Sequence, residues 1–322
     1  MKVLVTGATS FLGQHIVAQL AERGDIVTTF QRSSFDGPGV SMRGSINDSD
    51  AISKAMTDQE AVIHLAAKVA PLGSWKDFCS INVGGTRTLH AAAVAEGVSR
   101  FVYISTPSVA HSGSSISGGS ALPAMPDTVI GNYSKSKAIA ENWVLQQSNM
   151  SLPVVALRPH LVIGAGDPQL IGRVVDRARD NRLFTVGSGL TLVDTTWVDN
   201  AASATIAALD RCEYLGGNAF VVSNGEPRTI FELFSQITSA ANIQWIQRSI
   251  SPKVATLAGH LVEKIWLLSN KKSEPPITSF MAKQLSTAHW FDQSATTAAL
   301  AWQPKISLDE GFQLLQQWFA QN

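Results

Sequence analysis

The sequence predicts an α/β fold, a doubly wound parallel sheet with a smaller, mostly helical C-terminal region. Three observations predict it. Short apolar runs alternate with helical patterns over the first 160 residues. The runs are rich in β-branched residues on both faces, as strands covered on both sides must be. A glycine-bearing turn joins the first run to the first helical pattern.

In chain order, Lys2–Thr6 is the first strand. Leu12, Ile16 and Leu20 then mark one face of a helix that ends at Gly24. Ile26–Gln31 and Val40–Arg43 are the next strands. Ala61–Leu65 follows, then a helix near Asn82–Glu96, the strand Phe101–Ser105, a helix around Tyr133, and the strand Val154–Arg158 before a proline stop. Between Pro107 and Asn132 there is no period and many small residues, which predicts a mobile loop. It lies between a strand end and the Tyr133 helix, so it reads either as a flap over a site or as a surface insertion. Beyond Gly166 the pattern loosens. Thr229-Ile230-Phe231-Glu232 and Ser307-Leu308-Asp309-Glu310 fit capping boxes, so helices begin there. The second carries Leu308, Phe312, Leu315 and Phe319 on one side. Trp197, Trp245, Trp266, Trp290, Trp302 and Trp318 all fall in this half, as core or as lining of an apolar pocket. The division expected is residues 1–166 plus about 197–224 for a dinucleotide-binding domain, and 167–196 plus 225–322 for a substrate-binding region.

Composition excludes several classes. The 322 residues are 45% hydrophobic, ample for a large core, and 25 basic residues balance 25 acidic ones. A neutral chain has no global field to recruit nucleic acid. Cys79 and Cys212 give neither a disulfide framework nor metal-ligand spacing. The chain opens directly into a strand, without the apolar core and cleavage site of a signal peptide, so a cytoplasmic location is expected. No run of 18 uncharged apolar residues exists.

The turn Thr6-Gly7-Ala8-Thr9-Ser10-Phe11-Leu12-Gly13 carries the first functional signal. It follows a strand and opens a helix, the setting in which a helix N-terminus receives a pyrophosphate. Gly7 permits the tight turn, and Gly13 lets the helix pack close. Ser10 stands where a middle glycine is common; it is small and its hydroxyl can donate. The unit is therefore Rossmann-like. The second strand ends in Gln31-Arg32-Ser33. A carboxylate there would favour the free ribose of NADH, whereas Arg32 pairs with a 2′-phosphate. NADPH is expected, with NADH as the alternative.

The second signal is Tyr133 and Lys137, four apart in a helical stretch and so on one face. An ammonium beside a phenol favours phenolate and lowers its pKa from about 10 toward neutrality. Alone, such a pair is common on surface helices; the glycine turn upstream gives it weight.

With these residues in place the chain resembles the extended short-chain dehydrogenases/reductases over nearly its whole length. The matching motifs are Thr6–Gly13, Leu65-Ala66-Ala67, Asn82 ahead of Gly85-Thr86, Tyr103–Ser108, Tyr133–Lys137, Leu157-Arg158-Pro159 and Trp197-Val198-Asp199-Asn200-Ala201. Ser105-Thr106-Pro107-Ser108-Val109, Val193-Asp194-Thr195-Thr196, Ser223-Asn224-Gly225-Glu226-Pro227, Glu274-Pro275-Pro276 and the tail around His289-Trp290 are similar to the 3β-hydroxysteroid dehydrogenase-like branch. Within it, they are similar to bacterial 2-alkyl-3-oxoalkanoate reductases of long-chain olefin biosynthesis. The resemblance implies that Tyr133 donates the proton and that Lys137 lowers its pKa and binds the nicotinamide ribose. Thr106, or Ser105 if the register slips by one, holds the substrate oxygen, and Asn82 supports the site through its helix. Gly7, Ser10, Phe11, Leu12, Gly13, Arg32, Leu65, Ala66, Ala67 and Pro159 would surround the cofactor. Ser10, and Ser45 where the family often has Asp near the adenine, depart from the pattern.

His160 reads mainly as a satisfied structural histidine, with an approach to the nicotinamide or a substrate carboxylate as the rival. Asp199 is expected to cap a Val198–Leu209 helix. Lys253–Lys272 reads as an amphipathic helix: core, a wall of a long-chain substrate tunnel, or a face toward a membrane or a partner enzyme of a lipid pathway. The expected substrate is an apolar ketone or β-keto acid, and helix-paired homodimers are common in the superfamily. A hydroxysteroid dehydrogenase, a nucleotide-sugar epimerase or dehydratase, and a non-catalytic NADPH-binding protein are the alternatives.

Overall fold

A computed structural model describes residues 1–269 and 275–322. A seven-stranded parallel sheet runs in the order Ala219–Val222, Val154–Pro159, Arg100–Ile104, Ala61–His64, Lys2–Thr6, Ile26–Gln31, Val40–Arg43. Strand order reverses beside Lys2–Thr6, so the carboxyl ends of the strands open a crevice there. Val3, Val5, Ile63, Val102, Val155 and Leu157 bury one sheet face against the Phe11–Glu22 and Val198–Asp210 helices. Leu4, Val62, Phe101 and Tyr103 bury the other against the Gly85–Ala95 and Asn132–Gln146 helices. A fully covered parallel sheet explains why the strands read as continuous apolar runs.

A four-stranded sheet of very short strands, in the order Arg228–Thr229, Leu192–Val193, His289–Phe291, Ile116–Gly119, stands beside the main one. It corrects the loop reading of Pro107 to Asn132. Pro107–Ala110 is a 3-10 turn, and Ile116–Gly119 pairs in parallel with His289–Phe291. A stretch so rich in glycine and serine has no apolar period of its own; its partner strand supplies the order.

Both capping boxes form, at Thr229 and Ser307, and open the helices Ile230–Ala240 and Leu308–Gln321. Asp199 does not cap its helix. Trp197 occupies that position, and the Asp199 carboxylate instead accepts from the Trp197 indole at 3.0 Å and bonds His15 at 2.9 Å. The Pro252–Ser269 helix turns Ala255 and Gly259 inward, Gly259 against the Ser279–Ser286 helix. Lys271, Lys272 and Glu274 lie outside the described residues. Among the described residues no helix is long and apolar enough to cross a membrane.

One buried ion pair joins the sheet to the Tyr133 helix. Arg158 and Glu141 are 2% and 1% exposed; Arg158 Nε and Nη2 donate to the two carboxylate oxygens, and Nη1 donates to the Leu122 carbonyl at 2.7 Å. Removing one partner strands a desolvated charge. Glu141→Ala is expected to cost about 3–5 kcal/mol in urea unfolding, and a loss below about 1 kcal/mol would show that the pair behaves like a surface bridge.

Candidate active site

The Asn132–Gln146 helix begins beyond Gly131 and lays Tyr133, Lys137 and Glu141 along one face at four-residue steps. Lys137 is buried. Its Nζ donates to the Ile104 carbonyl at 2.6 Å and stands 3.9 Å from the centre of the Tyr103 ring. Burial lowers its pKa to about 7, with the Glu141 charge pulling it back up. Tyr133 is half-buried, and desolvation pushes the phenol up to about 12 while the Thr106 side chain opposes the shift. In the chain by itself burial therefore outweighs the expected lowering of the phenol by Lys137, whose ammonium faces Ile104.

Thr106 lies two residues beyond the Arg100–Ile104 strand and caps the Pro107–Ala110 turn. Its Oγ1 accepts from the Ser108 backbone N–H at 3.3 Å and lies 3.2 Å from Ser108 Oγ, which accepts from Ser134 Oγ at 3.0 Å. Thr106, Ser108 and Tyr133 line one cavity of about 350 Å³, together with Pro159 and His160. Ser105 Oγ is buried without a partner and does not line that cavity. Sequence reasoning missed the Ser108–Ser134 link; Ser134 is the residue after Tyr133 and offered no separate signal.

Asn82 sits in a π-helical turn, Cys79–Gly84. Its Oδ1 accepts from the Lys68 N–H at 2.7 Å, and its Nδ2 donates to the Lys68 carbonyl at 3.2 Å and to Ser136 Oγ at 2.9 Å. It thus ties the loop after the Ala61–His64 strand to the Tyr133 helix. A buried chain runs behind it. Thr86 Oγ1 donates to the Asn82 carbonyl at 2.6 Å, His64 Nε2 meets Thr86 at 3.0 Å, and His64 Nδ1 meets Thr6 at 2.7 Å.

A second cavity, of about 940 Å³, opens at the glycine turn. Gly7 has φ +77°, and a side chain on it would stand 2.8 Å from the Ala66 nitrogen. On Gly13 it would stand 2.6 Å from the Gly7 carbonyl. Ser10 caps the helix, donating to the Gly7 carbonyl at 2.8 Å and accepting from the Gly13 N–H at 3.1 Å. Gly7, Ser10, Leu65, Ala66 and Ala67 line this cavity at one end, and Arg32, Ser45 and Arg43 line it at the other. Arg43 was not singled out from sequence, although its strand pairs in register with Gln31. Phe11, Leu12 and Gly13 open the helix without lining the cavity, and Pro159 lines the cavity of Tyr133 instead. A cradle closed to any Cβ, followed by a helix N-terminus, fits the pyrophosphate of a dinucleotide.

Residues 4–249 match the 3-beta hydroxysteroid dehydrogenase/isomerase family. The chain belongs to that family. It is an NAD(P)-dependent oxidoreductase of the extended short-chain dehydrogenase/reductase type. A 2-alkyl-3-oxoalkanoate reductase of Stenotrophomonas maltophilia is 39% identical, over 98% of both chains. A protein of that name from Shewanella oneidensis is 35% identical, over 97% of this chain and 84% of its own length. These relatives support a ketoreductase role in this family. The fold is that of UDP-glucuronic acid 4-epimerase from Bacillus cereus in complex with NAD, with a TM-score of 0.76 and 21% identity over 100% of this chain and 99% of that one.

The Lys137 shift has a stability consequence. Between a folded pKa of about 7 and the ordinary 10.5, the unfolded chain binds more protons than the folded one. Stability contributed at this site therefore rises with pH across that window. Relative to Lys137→Met, the wild type should gain about 1–2 kcal/mol from pH 7 to pH 9 in urea unfolding without cofactor. An equal pH dependence in both proteins would contradict the shift.

Proposed function

We propose that the chain reduces the ketone of a long-chain 3-oxo acid with NADPH, converting a 2-alkyl-3-oxoalkanoate to the 2-alkyl-3-hydroxyalkanoate. The observation that carries this reading is the shared cavity. The hydroxyls of Thr106 and Tyr133 open into a space walled by Leu170, Phe184, Phe234, Phe280 and Leu285. Such a wall removes an alkyl chain from water while two donors wait at one end. The names of the two bacterial relatives support the same substrate class. The tryptophans expected as lining are not in this wall; phenylalanines take their place.

Bound NADPH supplies the hydride. As negative charge develops on the substrate oxygen, Thr106 Oγ1 and the Tyr133 hydroxyl stabilise it, and Tyr133 passes over its proton. A phenol held up at about 12 keeps that proton until the oxygen becomes basic. Lys137 Nζ, held by the Ile104 carbonyl over the Tyr103 ring, would supply positive charge and a donor to the cofactor ribose. Arg32 and Arg43 take the 2′-phosphate, and Ser105 stays out of the chemistry.

The Pro252–Ser269 helix meets a lipid surface in this reading. Its outer stripe of Val254, Leu257, Leu261, Ile265 and Leu268 is exposed, with Lys253 and Lys264 beside it. Its inner face packs on the Ser279–Ser286 helix, and that helix, rather than this one, lines the substrate cavity with Phe280, Met281 and Leu285. Of the alternatives expected for this helix, the exposed stripe supports the lipid-facing one best.

Tyr133→Phe is expected to lower kcat for 3-oxo acids by at least about 10²-fold while NADPH binding, read by fluorescence, persists; near-normal kcat would overturn its role. Steroids and UDP-sugars in the same NADPH-loss assay should react far more slowly. Arg32→Ala and Arg43→Ala should each raise KM for NADPH about tenfold or more and leave that for NADH unchanged. A wild type that prefers NADH would contradict the arginine assignment. Leu257→Glu/Leu261→Glu should lose co-sedimentation with anionic vesicles, and equal sedimentation of variant and wild type would reject the lipid-facing stripe.

A further inference from the structure

Three histidines lie together at the edge of the substrate cavity. His160 follows Pro159 at the end of the Val154–Pro159 strand, His289 begins the His289–Phe291 strand, and His111 follows the 3-10 turn after Thr106. All three are buried, and the rings of His160 and His289 cross edge to face at 4.9 Å. His160 and His289 line the same cavity as Thr106 and Tyr133.

Their hydrogen bonds determine which nitrogens carry protons. His289 Nε2 lies 2.9 Å from the Gln284 carbonyl, which only accepts, so the proton is on Nε2. A neutral His289 therefore presents a lone pair at Nδ1. His160 Nε2 lies 2.8 Å from that Nδ1 and 3.2 Å from the His289 carbonyl, so His160 donates through Nε2. His160 Nδ1 is then an acceptor. Desolvation keeps all three rings in the neutral form, His289 at about 4 and His160 well below its ordinary value.

Topology places His160 near the reacting end, in the lining of the cavity that holds Thr106 and Tyr133. The strand carrying His160 pairs with the strand leading to Thr106 in the register Ile104 to Leu157, so both chains leave the sheet side by side. In a 3-oxo acid the carboxyl carbon is two bonds from the ketone carbon, so the acid group must also lie at this end. The alkyl chain takes the apolar wall. The guanidinium groups of the cavity, Arg173 and Arg177, sit on the Leu170–Arg179 helix, where Arg173 donates to Gln169 Oε1 at 2.7 Å and Arg177 to the Pro276 carbonyl at 2.8 Å.

We infer that His160 recognises the carboxyl group of the substrate and takes it together with one proton, so that acid and proton enter the cavity as a pair. This deepens the proposed reduction of a 3-oxo acid and rests on it. A carboxylate needs a donor, and Nδ1 of a neutral His160 has none to offer. One proton must therefore come from solvent, either to Nδ1, giving an imidazolium that also donates to His289, or to the acid, whose O–H then donates to Nδ1. The proton count is the same in both. Product release returns it. The arrangement favours the acid over its ester without holding a permanent cation beside the hydride path.

The other ionisable groups facing this point are His289, His111 and Tyr133, with Arg173 and Arg177 across the cavity. Asp194, at about 6, bonds the Phe291 N–H beneath the His160 ring, and Lys137 lies behind Tyr103. All are common to wild type and His160→Gln, so the difference between the two isolates His160. Glutamine keeps a donor toward His289 and cannot titrate.

The test is calorimetric binding of an unreactive 2-alkylalkanoic acid to the NADP⁺-loaded protein between pH 7 and 8.5, in buffers of different ionisation enthalpy. Wild type should take up about one proton per acid, with affinity falling up to about tenfold per pH unit. His160→Gln should bind more weakly and take up none, while its NADPH fluorescence shows that it is folded. Binding without proton uptake, equal uptake in His160→Gln, affinity lost in Arg173→Ala but not in His160→Gln, or no acid binding by wild type overturns the inference. Reduction of the methyl ester of a 2-alkyl-3-oxo acid separates this from the parent reading. A protein that reduces the ester but binds acids without protons keeps the function and loses the His160 role. One that takes up acid with a proton yet reduces neither acid nor ester loses the function.

Discussion

Burial of Lys137 and Glu141, on the helix face that also carries the half-buried Tyr133, is the constraint on which the rest depends. Tyr133, Lys137 and Glu141 share that face, and the sheet covers it. Charges in such a place are tolerated only when paired or neutralised. Glu141 is held by Arg158 from the adjoining strand, and Lys137 by the Ile104 carbonyl. The pairings fix the height and rotation of the helix on the sheet and so set where the Tyr133 hydroxyl emerges. The same desolvation moves Lys137 toward neutrality and keeps the phenol protonated. Structure and reactivity here have one cause.

Around that face the molecule divides its labour between two cavities. The first sits over the reversal in strand order and is shaped by the absence of side chains at Gly7 and Gly13. The chain Thr6–His64–Thr86–Asn82 joins that turn to the Asn82 clamp, and Ser136 joins the clamp to the Tyr133 helix. The second cavity has an apolar wall, with Thr106, Ser108, Tyr133 and His160 gathered near the strand ends and Arg173 and Arg177 on the Leu170–Arg179 helix. The small sheet built from distant segments contributes to it through His289, the first residue of the His289–Phe291 strand.

Much of this was legible in the sequence. The central strands of the main sheet could be read because they are buried on both faces, and Lys2–Thr6, Ile26–Gln31 and the exposed edge strand Val40–Arg43 stand where the sequence placed them. Both capping boxes were legible because a hydroxyl and a carboxylate three apart make a local interaction. What was not legible depended on distant partners. Ile116–Gly119 is ordered by a strand some 170 residues away. Asp199 gave up a capping role for His15, across the interface of two helices. Arg43 joined Arg32 only through strand pairing, and the pKa of Tyr133 answers to burial, which spacing alone does not reveal.

The central claim is that the Thr106–Tyr133 cavity presents a 3-oxo acid to NADPH for reduction at the ketone carbon. Incubation of the protein with NADPH deuterated at the transferable C4 position and a 2-alkyl-3-oxoalkanoate, followed by mass spectrometry of the product, tests it most directly. One deuterium at C3 of a 2-alkyl-3-hydroxyalkanoate is expected for each NADPH consumed. A product without deuterium at C3, or NADPH that survives beside unconsumed acid, would contradict it.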